Sequence, residues 1–148
     1  MIEPIRLAFE LDCPVEHAFE TWTGRIGQWW PIDHTVSASP GLAVVLEGRP
    51  GGRIFERETS GLEHDWGEVT IWEPPTRLAY TWHLNRDRSD ATQVEIRFLP
   101  SSDAQTRVEI EHRDWERLGS EGPPWRERNV AGWTTLLPHY VAAVRLRA

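Results

Sequence analysis

The stretch "VAGWTTLLPHYVAAV", residues 130–144, decides the fold. Val130, Trp133, Thr134, Leu137, Val141 and Val144 recur at helical spacing and form one apolar stripe on a long helix. "SEGPP" (120–124) opens that helix, because proline is tolerated in a first helical turn. Pro138 lies within the stripe and predicts a bend, since it removes a backbone donor and crowds the turn before it. A stripe of this length needs a broad apolar surface to lie on.

The residues upstream supply one. "RLAYTWHL" (77–84) alternates with period two, so Leu78, Tyr80, Trp82 and Leu84 share one face of a strand. Val94, Ile96 and Phe98 alternate with Glu95 and Arg97, and Val108 and Ile110 with Glu109 and Glu111. "EPPT", "NRDRSD" and "PSSDAQ" are the turns between these strands and their neighbours. Earlier, Leu42–Glu47 and Arg53–Thr59 flank "GRPGG" as a hairpin, and a further strand runs over about 64–73. Evenly spaced turns and one apolar face predict an antiparallel meander.

At the other end, Ile5, Leu7, Phe9 and Leu11 make a first strand. Val15, Ala18, Phe19 and Trp22 then mark an amphipathic helix, which Gly24 breaks. Ile26, Trp29 and Trp30 predict a second short helix ending at Pro31. The adjacent tryptophans cannot point the same way. One is expected in the core and the other toward the mouth of a cavity. The order is β-α-α-β-β-β-β-β-β-α: an α+β fold of about seven antiparallel strands around a long C-terminal helix, with two short helices between strands one and two.

Composition bounds the function. The 148 residues suit one domain, 1–148, with a core that needs no disulfide. The net charge of −7 argues against a nucleic-acid partner. Cys13 is the single cysteine, and the histidines show no H-x-x-x-H spacing, so no metal is expected. G-x-S-x-G, P-loop and G-x-G-x-x-G motifs are absent, and no cofactor is expected. The first residues alternate rather than run apolar, and no stretch approaches a membrane span, so a cytoplasmic location is expected. Nothing in the sequence specifies an oligomeric state. The nine tryptophans are unusual, and suit a wall that is apolar yet able to donate a hydrogen bond.

Several motifs together carry a resemblance: "HAFETWT…GQWWP…H", "PGGRIFERETSGLEHDWGEVTIWEPPTRLAYTWHL", "TQVEIRFLP…TRVEIEHRDWERLG" and "GWTTLLPHYV". They resemble the bacterial activator of Hsp90 ATPase homologue 1-like family of the SRPBCC (START/Bet v 1-like) superfamily, over nearly the whole chain. The resemblance implies a helix-grip fold with an apolar cavity between sheet and long helix.

The expected function is therefore binding of a small, largely apolar molecule, aromatic or lipid-like, in that cavity. Trp30, His64, Trp66, Tyr80, Trp82, Trp133 and Leu137 are the candidate ligand-binding residues. A co-chaperone-like protein partner is one alternative. A cyclase or hydrolase activity is another, and it needs an inward acid–base pair such as Asp65 with His64. In unbroken alternation Asp65 shares the inner face with Val69 and Ile71, and a bulge reverses this. His64 or Asp65 is otherwise solvated near a strand end. "EHRDWERLG" (111–119) reads as a solvated ion-pair surface formed by Arg113, Asp114, Glu116 and Arg117. Cys13, at a helix start, reads as a small structural residue.

Overall fold

The structure is a computed structural model that describes residues 2–146. Seven strands form one antiparallel sheet in the order β1-β7-β6-β5-β4-β3-β2. They are β1 (Ile5–Leu11), β2 (Ala43–Leu46), β3 (Arg53–Arg57), β4 (Glu63–Glu73), β5 (Arg77–Trp82), β6 (Thr92–Ser102) and β7 (Gln105–Arg113). Helices α1 (Val15–Trp22) and α2 (Ile26–Trp29) lie between β1 and β2, and α3 (Gly122–Arg145) closes the fold. This is the helix-grip architecture. The two faces of the sheet follow from the alternation. Leu78, Ile96, Val108 and Ile110 are buried under the helices. The opposite face carries ion pairs such as Arg77 with Glu95 at 2.8 Å and Arg6 with Glu111 at 3.2 Å.

Two bulges set which residues of β4 face inward. Ile54 pairs with Gly67 but Phe55 with Asp65, so Trp66 is the extra residue. Trp66 turns fully into the core, while Asp65 faces outward and pairs with Arg53 at 2.8 Å. Gly67 follows because a Cβ there would lie 1.9 Å from the Thr81 carbonyl oxygen. Val69 pairs with Tyr80 and Ile71 with Ala79, leaving Thr70 unopposed. Trp72 therefore faces Leu78's side of the sheet, and its ring meets Phe19 at 5.1 Å.

The helix stripe differs in detail from its sequence reading. Trp133, Leu136, Tyr140 and Val144 are buried, Leu137 is half-buried, and Thr134 is exposed. The buried face is rotated because polar-tipped Tyr140 has a partner: its hydroxyl donates to the Ala18 carbonyl at 2.7 Å. His17 Nε2 adds a second tie from α1 to α3, to the Val144 carbonyl at 2.7 Å. α3 runs through Pro138 without interruption, with Pro138 on the solvent side. The Thr134 carbonyl that loses its intrahelical donor lies on an exposed turn, where water can satisfy it.

Residues 111–119 are also less solvated than their charges suggest. Trp115 and Leu118 are buried, and Arg117 donates to the Ala91 carbonyl at 2.8 Å. Burial of the Trp115 ring draws the charged segment down onto the sheet end.

Candidate functional site

At the N-terminal half of α3 the helix stands off the sheet and leaves a cleft of about 240 Å³. Trp30, Trp82, Trp125 and Trp133 form its ring walls. Asp33, His34, Asn85, Arg128 and Asn129 supply polar atoms at its rim. Gly132 is part of the opening: a Cβ there would meet nothing within 4 Å.

The walls are held from behind. The Trp30 ring packs on Trp66 at 5.1 Å and Trp82 at 5.7 Å, and its N–H donates to the His34 carbonyl at 3.0 Å. Trp29 turns the other way, into the core, where its N–H donates to the Thr21 carbonyl at 2.7 Å. Trp66 is anchored by a buried carboxylate. Its N–H donates to Glu56 Oε1 at 2.9 Å, and Glu56 also accepts from the Val36 and Ser37 amides and the Ser37 hydroxyl. Burial alone would raise the Glu56 pKa, but these four donors outweigh it and hold the carboxyl below its ordinary value.

Trp133 and Trp82 are joined through a buried histidine. The Trp133 N–H donates to His112 Nδ1 at 3.1 Å, which leaves the proton of the neutral ring on Nε2. Nε2 donates to Thr92 Oγ1 at 2.7 Å, and the Thr92 hydroxyl lies 3.3 Å from the Trp82 carbonyl oxygen. Burial pushes the His112 pKa down to about 3, so the ring stays neutral. At the rim, His34 Nδ1 donates to Asp33 Oδ1 at 3.0 Å and holds that carboxyl below its usual range. His34 Nε2 is 2.8 Å from the Thr135 hydroxyl.

Residues 12–144 match the family described as activator of Hsp90 ATPase homolog 1-like protein. The chain belongs to this family. Solved structures align with it as well. An anthrahydroquino-γ-pyrone synthase, Txn09, is 34% identical over 82% of each chain, with a TM-score of 0.58. The self-sacrificing resistance protein CalC from Micromonospora echinospora is 26% identical over 95% of this chain and 93% of its own, with a TM-score of 0.72. Protein MLL2253 from Mesorhizobium loti, 17% identical over 99% and 100% of the two chains with a TM-score of 0.71, shares the fold. Among curated proteins, none matches.

In this Hsp90-activator-like chain the cleft gathers some of the residues singled out from sequence and leaves others outside. Trp30, Trp82 and Trp133 line it. Trp66 does not; it is fully buried one ring behind. Tyr80 does not either. It is buried beside Trp82, and burial raises its hydroxyl pKa, with the Trp22 indole offsetting a part. Leu137 lies outside the cleft because the face of α3 that lines it runs through Arg128, Gly132 and Leu136. His64 lines a separate shallow hollow and reaches Glu58 Oε2 at 2.7 Å. Asp65, turned outward by the bulge, makes no inward acid–base pair with it.

Sequence reading passed over His112, Glu56, Trp125, Arg128 and Gly132. His112 had a signal, since it continues the inward phase of Val108 and Ile110. Arg128, Gly132 and Leu136 also had one, spaced four apart on a single helix face. Glu56 had none, because its donors come from a loop some twenty residues away. Among the described residues no group of His, Cys, Asp or Glu is placed to hold a metal, and no helix is long and apolar enough to cross a membrane.

Proposed function

We propose that this protein binds a small, flat, largely apolar molecule with one or more aromatic rings in the cleft between β5 and α3. The observation that carries the reading is the set of ring walls, Trp30, Trp82, Trp125 and Trp133, around an open volume of about 240 Å³. Drug-sized ligand sites run from roughly 300 Å³ upward, so this cleft suits a compact ring system. These indoles present flat π faces, with the Trp30 and Trp133 rings held by their N–H hydrogen bonds, which favours stacking on a flat ligand over wrapping a flexible chain. The 34% identical synthase, named for a fused-ring product, supports a ring-containing ligand here too.

The test is titration with flat aromatic and lipid-like compounds, following intrinsic tryptophan fluorescence, in wild type, Trp30→Ala, Trp82→Phe and Tyr80→Phe. Saturable quenching by the flat compounds is expected. It should weaken about tenfold in Trp30→Ala and persist in Tyr80→Phe. If no compound binds, a protein-partner role takes the place of this reading.

A second reading, that the bound molecule is also transformed, is favoured by the Asp33–His34 pair on the rim. A histidine oriented by a carboxylate is suited to take a proton from an acidic O–H or C–H of a bound ring or ketone, once its Nε2 exchanges the Thr135 hydroxyl for that group. Chromatography of aromatic polyketones incubated with wild type and His34→Gln tests it. A product formed by wild type alone is the expected result, and identical traces reject it.

A further inference from the structure

We infer that the cleft selects ligands carrying an anionic oxygen, a carboxylate or phenolate on the ring system, and that Arg128 is the residue that receives it. The inference rests on the cleft being a ligand site, and adds the chemical class of the ligand. Among the described residues, the arginines with neither an ion pair nor a side-chain hydrogen bond are Arg25, Arg128 and Arg145, and of these only Arg128 lines the cleft.

Its placement is built. The Arg128 guanidinium lies over the Trp125 ring at 4.8 Å. Arg86 approaches the same ring at 4.7 Å but is already neutralised, by Asp90 at 3.0 Å and Glu121 at 3.2 Å. Stacking on indole holds a guanidinium in place without using its N–H donors. Arg128 therefore keeps its planar fork of donors available at the edge of the aromatic walls. That fork matches a carboxylate, and a phenolate takes one arm of it. The carboxyl on the rim, Asp33, is already engaged by His34, so it does not occupy Arg128. A protein with net charge −7 gains nothing from general attraction to anions, which makes a free cation at this one cleft a local device.

The experiment uses two probes of nearly equal shape, anthraquinone-2-carboxylate and anthraquinone-2-carboxamide. Each is titrated into wild type, Arg128→Gln and Arg145→Gln at low salt. Arg145→Gln removes the same charge at the far end of α3. The carboxylate should bind wild type and Arg145→Gln roughly five- to tenfold more tightly than the amide. Arg128→Gln should bind the two equally. Raising salt to about 0.5 M should shrink the wild-type preference, because the guanidinium is open to solvent. Equal binding of both probes by wild type leaves the cleft reading standing and overturns the anion inference. A preference that survives in Arg128→Gln overturns it as well. Binding of neither probe removes the cleft reading and this inference together.

Discussion

The Trp133 indole N–H donates to Nδ1 of His112 at 3.1 Å, inside the core and at the back of the cleft. The bond holds only while His112 is neutral, because a protonated ring has no acceptor to offer. The His112 pKa falls from 6.5 to about 3 on burial. The unfolded chain takes up a proton near pH 6.5 that the folded chain refuses. The contribution of His112 is therefore complete above that value and is lost as pH falls toward 3. Between about pH 6.5 and 4.5 the loss should approach 2–3 kcal/mol. Urea midpoints of wild type and His112→Gln across this window check it. The variant should show the flatter pH dependence by about that amount, and parallel curves would exclude the assignment.

Trp133 contributes through its ring as well as its N–H. Trp133→Ala removes a ring that packs near Trp22 at 6.2 Å and leaves His112 Nδ1 without its donor. A cost of about 3–5 kcal/mol is expected. Trp133→Phe keeps most of the packing but strands the acceptor, at about 1–3 kcal/mol. Denaturant midpoints under 1 kcal/mol apart for wild type and Trp133→Ala would mean the ring is not part of the core.

Glu56 ties β3 to the 36–37 loop and to Trp66. Glu56→Ala leaves the Val36 and Ser37 amides and the Trp66 N–H without their acceptor, and should cost at least about 3 kcal/mol. Because its folded pKa is lowered, the charged form stabilises the fold above the ordinary value of 4.5, and that stability is lost as pH falls through the lower one. Amide hydrogen exchange gives the local readout. Val36 and Ser37 should lose protection in Glu56→Ala at denaturant concentrations where the β6–β7 amides keep theirs.

Gly132 sits in the middle of α3 with open space above it. Gly132→Ala should stabilise the protein by about 1 kcal/mol, the helix cost of glycine, with no clash to offset the gain. Gly132→Leu should keep the fold and fill the cleft, weakening fluorescent or aromatic probes by an order of magnitude or more. Probe affinity unchanged in Gly132→Leu would mean that the ligand binds elsewhere.

Much of this architecture was legible in the sequence because it is periodic. Residues 5–11, 77–82 and 105–113 alternate with period two, and residues 122–145 repeat with period 3.6. Each period leaves one face apolar, which must be covered. The adjacent tryptophans were legible for the same reason: neighbours on a short helix diverge, and Trp29 and Trp30 do.

Periodicity alone therefore carries the order of elements and which face of each is apolar. Which rings line an open space and which are sealed depends on how the layers pack. Alternation assigns a face but not a depth, so Tyr80 and Trp82 share one face while Tyr80 is buried and Trp82 opens onto the cleft. A single extra residue in β4 reverses two faces at once, turning Trp66 in and Asp65 out. Partners distant in sequence decide the rest. Glu56 and His112 are polar residues at inward positions, and each is stable there because tryptophan N–H groups from other elements meet it. A one-dimensional pattern carries the period of the chain; the meeting of a buried carboxylate or imidazole with its donor depends on how the layers stack.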